Sequence, residues 1–139
     1  GPIYMQQSFP IPGRSTGDTI YRLAASHAAN LCEQILQRAA LGSLEGTAQN
    51  HAEATRAPRP KAEDALIDPS DWTCEALVNF CCTAPYFRTP WLKMGEDPYF
   101  IMRAVKAMPG ETLPGDSAVQ GKFLFVQCRD GVCELEIQT

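Results

Sequence analysis

The tetrapeptide Arg129-Asp-Gly-Val132 constrains the fold most, because it predicts a tight turn between two strands near the end of the chain. An Asp-Gly pair is typical of a two-residue type I′ turn, in which both central residues have positive φ. With Asp130 and Gly131 as the loop, Cys128 lies opposite Cys133. The segments 122–128 and 132–139 then form the two strands of a β-hairpin.

This register divides the hairpin into an apolar face and a more polar face. The apolar face is predicted to hold Leu124, Val126, Cys128, Cys133, Leu135 and Ile137. A slip of one residue would exchange the two faces, so the division supports the register. In this register Cys128 and Cys133 form a non-hydrogen-bonded pair. The two Cα atoms of such a pair approach to about 4.5 Å, which is within disulfide range. We therefore predict a local Cys128–Cys133 disulfide; the alternative, in which one of these thiols bonds a cysteine of the second helix, stays open.

The chain has six cysteines, an even number, which favours disulfides formed in an oxidising compartment. No pair has C-x-x-C spacing, and His27 and His51 are far apart, so no metal site is predicted. We expect Cys32 to form a disulfide with one of Cys74, Cys81 and Cys82. For Cys81 and Cys82 the alternative of buried free thiols stays open, because Cys also packs as a small apolar residue.

Two helices are predicted upstream of the hairpin. Ile20, Leu23, Leu31 and Ile35 form one stripe at helical spacing, which predicts a long amphipathic helix over 19–41. A second helix is expected from Asp68-Pro69 to about Thr83. Between and after the helices, 43–62 and 84–98 are predicted loops, so that 43–98 is a variable region. A strand over 99–106 and a loop over 109–121 precede the hairpin.

These elements predict one α+β domain over residues 1–139. In it the long N-terminal helix packs on a C-terminal antiparallel β-meander (99–139), and disulfides stabilise the whole. A chain of 139 residues with 45% hydrophobic content can bury a core of this kind.

Charge and motifs favour some functions over others. The net charge is −4, and the only basic group is Arg56–Arg59–Lys61 in a proline-rich loop, so no nucleic-acid partner is expected. No phosphate-binding loop or nucleophile elbow is present, and no cofactor is expected. A nucleophile–base pair of Cys81 or Cys82 with a histidine is the only catalytic arrangement to consider, and its spacing does not support it. The sequence predicts a protein that is not an enzyme.

The segments 19–38 (TIYRLAASHAANLCEQILQR) and 123–137 (FLFVQCRDGVCELEI) give the chain a family resemblance. The order of helix, variable region and disulfide-secured strands resembles the globular domains of type IV pilins and type II secretion pseudopilins, particularly minor pilins. The resemblance implies a structural subunit that assembles with other pilin subunits. It also implies an exported protein, anchored in the inner membrane by an upstream apolar half-helix and later part of an extracellular fibre. Gly1-Pro2 looks like the remnant left after tag removal, in keeping with deletion of such a segment.

Two other functions compete with the pilin hypothesis. One is a periplasmic or secreted binding module, such as an inhibitor, immunity protein or effector, whose 43–62 or 84–98 loops contact a protein partner. The other is an enzyme that uses a free cysteine.

Overall fold

The computed structural model describes residues 1–86 and 88–138, and it divides into two compact units. The first unit comprises Gly1–Ile11 and Asp18–Arg59, and the second comprises Pro12–Gly17 and Pro60–Thr139. The single domain over 1–139 stays a prediction.

The first unit is built around helix α1, Gly17–Ala40, which confirms the predicted long helix. In its first turn Asp18 forms an i,i+4 ion pair of 2.9 Å with Arg22. Gly42 ends the helix in a left-handed conformation with φ of 66°, and the Ser43 N–H donates to the Arg38 carbonyl at 2.9 Å. Only Gly17 of the helix is buried, and the apolar stripe is half-buried.

The second unit contains a five-stranded antiparallel sheet of order β1-β2-β5-β4-β3. Its strands are β1 Trp91–Met94, β2 Asp97–Pro109, β3 Ser117–Gln120, β4 Phe123–Cys128 and β5 Gly131–Ile137. Two register shifts interrupt the pairing of β2 with β5, between Ile101 and Arg103 and between Ala104 and Lys106. Such bulges bend a strand and increase its twist, which curls the sheet.

A short helix covers the inner face of this sheet. Helix α2, Cys74–Thr83, begins after Thr73, whose hydroxyl accepts the Ala76 N–H at 3.2 Å. It buries residues at i, i+3, i+4 and i+7, namely Cys74, Leu77, Val78 and Cys81. They join one core cluster with strand residues, among them Leu92, Ile101, Leu124, Val126, Leu135 and Ile137. The second helix is thus shorter than predicted, because Pro69–Asp71 forms a separate 3₁₀ turn.

The predicted fold class is therefore wrong in its main contact. The helix that covers the apolar face of the sheet is α2, whereas α1 belongs to the first unit. An amphipathic stripe predicts that a helix has an apolar face, but it does not identify what that face packs against. The predicted loops at 84–98 and 109–121 also contain strands β1 and β3.

The hairpin exists, but its predicted register is wrong by two residues. Cys128 lies opposite Gly131 and Cys133 lies opposite Val126, so Arg129 and Asp130 form the loop. Gly131 does not have the positive φ of a type I′ turn. It is needed where β5 meets β2, because a Cβ on Gly131 would lie 2.6 Å from the Pro109 Cα. A shift of two residues leaves every side chain on its face, so the predicted apolar face is nevertheless confirmed.

Candidate functional site

The side of the sheet that points away from α2 is the candidate site, and we call it the outer face. Its side chains alternate with the buried ones along the strands. The outer face comprises Phe100, Arg103, Lys106, Phe123, Phe125, Glu134 and Glu136.

Two rows of cross-strand partners build the outer face. In the first row Glu136 of β5 lies between Arg103 of β2 and Phe123 of β4. In the second row Glu134 has Lys106 and Phe125 as its neighbours. Arg103 and Lys106 are three residues apart, and in a regular strand two residues at this separation point to opposite faces. The register shift between Ala104 and Lys106 returns Lys106 to the outer face, so the bulge brings the two cations together.

Glu136 organises the charge in the first row. It accepts from Arg103 Nε at 2.5 Å and from Lys122 Nζ at 2.8 Å. Hydrogen bonds from Lys122 and Arg103 lower the pKa of the Glu136 carboxyl, because they stabilise its charged form. The Lys122 ammonium also lies 5.3 Å from the centroid of the Phe123 ring, within cation–π range. Glu136 therefore holds both cations, and Lys122 also lies over an aromatic ring of the face.

The outer face combines flat rings with basic groups. Phe123 and Phe125 are half-buried in the sheet, and Phe100 is 43% exposed. Arg103 and Lys106 of this face, together with Lys122, which bonds Glu136, outnumber the two glutamates, although the whole chain is acidic. Rings on a sheet can stack with unpaired bases, and lysine and arginine bind phosphates. The outer face thus presents aromatic rings and cations side by side.

All six cysteines are free thiols in the structure, and Cys128 and Cys133 of the predicted hairpin disulfide lie on the inner face of the sheet. Cys128 and Cys133 are not opposite each other, but the structure brings them together with Cys74 from the first turn of α2. The three Sγ atoms lie within 4.8 Å of one another. Cys32 is exposed on α1, Cys81 is buried and Cys82 is half-buried.

Burial and mutual hydrogen bonding shift the pKa values of these thiols. Desolvation raises the pKa of Cys74 to about 11. A hydrogen bond from Cys133 lowers the pKa of Cys128, and the same bond raises the pKa of Cys133, which keeps the proton. The three thiols therefore interact as one group.

The residues considered for cysteine catalysis do not form an active site. Burial raises the pKa of Cys81 to about 12, whereas a nucleophile needs the opposite shift. His27 stacks on Phe9 with ring centroids 4.5 Å apart, and His51 is exposed in a 3₁₀ turn.

Sequence reasoning missed the cations of the outer face. The basic group that it selected, Arg56–Arg59–Lys61, lies outside the sheet. Lys106 and Arg103 carried a weak signal as two basic residues in one predicted strand. Their odd spacing concealed the shared face, because nothing in the sequence marks the bulge.

Comparison with known proteins shows similarity to formyltransferases. No family model matches the chain. It is 33% identical over 143 residues to a methionyl-tRNA formyltransferase of Rubrobacter xylanophilus, covering 99% of this chain and 46% of the relative. It is 32% identical to the enzyme of the same name from Chloroflexus aurantiacus, covering 83% of this chain and 37% of the relative. It is 29% identical to the methionyl-tRNA formyltransferase of Koribacter versatilis, covering 91% of this chain and 40% of the relative. The chain thus spans less than half the length of these relatives.

A solved structure has the same fold. It is an N-formyltransferase from Helicobacter canadensis in complex with folinic acid and dTDP-3-aminofucose. The TM-score is 0.65 at 16% identity, and the match covers 100% of this chain and 51% of the other.

These findings overturn the pilin hypothesis. The relatives are named as transferases, so the predictions of a structural, non-catalytic fibre subunit and of a non-enzyme are wrong. The alternative of a binding module gains no support either. The predicted export and inner-membrane anchoring followed from the pilin resemblance and are wrong with it. In the part of the chain that the structure describes, no helix has the length and apolar character needed to cross a membrane. The chain is similar to part of the methionyl-tRNA formyltransferases and not to a pilin.

Proposed function

We propose that this chain is part of a formyltransferase that acts on methionyl-tRNA, and that the outer face of its sheet contacts the tRNA. The observation that carries the proposal is the 33% identity to the Rubrobacter xylanophilus methionyl-tRNA formyltransferase over 99% of the chain. A relative that spans almost the whole chain supports a shared role for this part of the protein.

The outer face supports the tRNA contact. Arg103 and Lys106 share one strand and one face, and Lys122 lies beside the Phe123 ring. Phosphate groups supply most of the affinity of a protein for nucleic acid, and aromatic rings stack with bases that are not paired. The expectation of no nucleic-acid partner depended on the net charge of the whole chain, which does not describe one face.

The role proposed here is substrate binding and not the chemical step. Among the described residues, the thiols and histidines form no nucleophile–base pair. Burial raises the pKa of the Cys81 thiol, which opposes attack by that group, and the His27 ring is stacked on Phe9. This chain therefore contributes contacts that hold the tRNA.

A binding titration tests the proposal. Fluorescently labelled methionyl-tRNA is titrated with the 139-residue chain, and anisotropy is followed at several salt concentrations. We expect saturable binding that weakens with salt, because phosphate contacts release counterions. Lys106→Glu should weaken binding roughly three- to tenfold and reduce the salt slope by about 1, as expected for a lost phosphate contact.

Lys61→Glu is the matched control. Lys61 is an exposed lysine of the same unit, outside the sheet, and the change in charge is identical. We expect it to leave the affinity within about twofold of the unaltered chain, because no phosphate contact of the outer face is lost. Equal weakening by both variants would show that only the net charge matters, and it would contradict a contact at the outer face.

A further inference from the structure

The three inner-face thiols form a compact group that folding assembles from distant parts of the sequence. Cys74 comes from the first turn of α2, whereas Cys128 and Cys133 come from the two strands of the hairpin. Their exposed fractions are 1%, 3% and 0%. The Cys133 thiol also donates a weak hydrogen bond of 3.7 Å to the Cys74 carbonyl. The group is thus part of the core at the end where the hairpin turns.

The spacing of the sulfur atoms suits a thiophilic metal ion. In a tetrahedral zinc site with Zn–S bonds of about 2.3 Å, the sulfur atoms lie about 3.8 Å apart. The three Sγ atoms here are already within 4.8 Å of one another. Closing around an ion therefore requires side-chain movements of less than about 1 Å.

A carboxylate that can serve as a fourth donor lies beside one of the thiols, that of Cys74. The Asp130 carboxylate accepts the Cys74 N–H at 2.7 Å and also hydrogen-bonds the Cys74 thiol. Arg129 and Asp130 are exposed, and Cys128 and Arg129 line an open cleft of about 350 Å³. The cleft thus reaches Cys128, one of the three cysteines, beside the hairpin turn.

We propose that Cys74, Cys128 and Cys133 bind one zinc ion through their sulfur atoms, with the Asp130 carboxylate as the fourth ligand. Three S–H protons leave to solvent as three Zn–S bonds form, and no electrons are transferred. Three thiolates and one carboxylate give the same net charge as the Cys₄ sites found in structural zinc domains. The ion would tie the first turn of α2 to the hairpin, and its role is structural.

The sequence argument against a metal site considered only spacing along the chain. A C-x₄-C pair, as in Cys128 to Cys133, is wider than the C-x-x-C spacing of many zinc sites. The third cysteine is more than fifty residues upstream, and the hairpin and α2 bring it to the pair. The competing interpretation is that the three residues are only small apolar core side chains.

Native mass spectrometry tests the proposal on the reduced 139-residue chain with an equimolar amount of zinc. We expect one zinc ion per chain, with loss of the matching protons. Cobalt(II) in place of zinc should give the charge-transfer absorption of thiolate ligands and the visible bands of a tetrahedral site. Because both measurements use the unaltered chain, they decide the matter even if a variant fails to fold.

Variants then identify the ligands. Cys128→Ser and Cys133→Ser should each lower the affinity for zinc at least tenfold, and Asp130→Asn should lower it less. Cys32→Ser and Cys82→Ser are matched controls that should bind as the unaltered chain does. Absence of stoichiometric zinc, or undiminished binding by Cys128→Ser, would overturn the proposal. A chain that binds no zinc and has a mass two hydrogen atoms below that of the fully reduced chain would also overturn it, since this mass indicates a disulfide. None of these outcomes bears on the proposed tRNA contact.

Discussion

Gly131 of β5 lies so close to Pro109 of β2 that an added Cβ would come within 2.6 Å of the Pro109 Cα. The two residues are direct partners at the end of the β2–β5 pairing. This approach explains the glycine that the sequence suggested for a turn. It also fixes which residues of the hairpin form the loop.

Gly131→Ala should destabilise the fold by about 1–3 kcal/mol, because the backbone of β2 has to move to admit a methyl group. The measurement is the free energy of unfolding from urea denaturation. Gly115→Ala is the control, since a Cβ there meets nothing within 4 Å. Equal stability of Gly131→Ala and the unaltered chain would contradict the close approach.

Leu77→Ala should cost about 2–5 kcal/mol of unfolding free energy, because it removes a fully buried side chain between α2 and the sheet. Leu36→Ala on α1 makes the same chemical change at a site that is 70% exposed. It should change stability by no more than about 0.5 kcal/mol. If Leu36→Ala were the more damaging variant, α2 would not be the helix that stabilises the core.

Asp130→Ala should lower stability at neutral pH and much less in acid. The Cys74 backbone N–H donates to the Asp130 carboxylate, and this bond lowers the pKa of the carboxyl. A carboxyl whose pKa is lowered in the folded state stabilises the fold above about pH 4. This stabilisation is lost as the pH falls through the pKa that the carboxyl has in the folded state. Thermal unfolding in metal-free buffer at several pH values checks this. Glu111→Ala, at an exposed loop position, is the control, and a pH-independent deficit in Asp130→Ala would contradict the account.

Glu136→Gln should tighten the binding of methionyl-tRNA, whereas Lys106→Glu weakens it. The Glu136 carboxylate engages Arg103 and Lys122, so its neutralisation frees two cations and removes a repulsive charge. We expect the affinity to rise roughly two- to fivefold at low salt, and the gain to shrink as salt screens the charges. Glu75→Gln, an exposed glutamate of α2, is the matched control. A loss of affinity in Glu136→Gln would mean that the ion-pair network itself is required for binding.

The amino-acid sequence was sufficient to predict the features of the fold that depend on a local pattern of residues. The apolar stripe and the terminal glycine predicted α1, and alternation predicted both faces of the hairpin. Strands β1 and β3 were missed because each has four residues. The turns that join them to their neighbours contain Gly95 and Gly121, both with positive φ, and these glycines were the available signal.

Features that depend on tertiary contact could not be predicted from pattern. The register of the hairpin is set by Gly131 against β2, and the shared face of Arg103 and Lys106 is set by a bulge. The group of three thiols forms only when α2 lies on the sheet. The family resemblance failed for a related reason, because an order of helix and strands is common to many unrelated proteins.

Chemical-shift mapping of the isotopically labelled chain against methionyl-tRNA tests the central claim most directly, because it locates the contact. The account predicts that perturbed amides concentrate on the outer face, at Phe100, Arg103, Lys106 and Phe125, with little change in α2. Perturbations centred on α2 or on the Arg56–Arg59–Lys61 loop, or no perturbation at saturating tRNA, would contradict it.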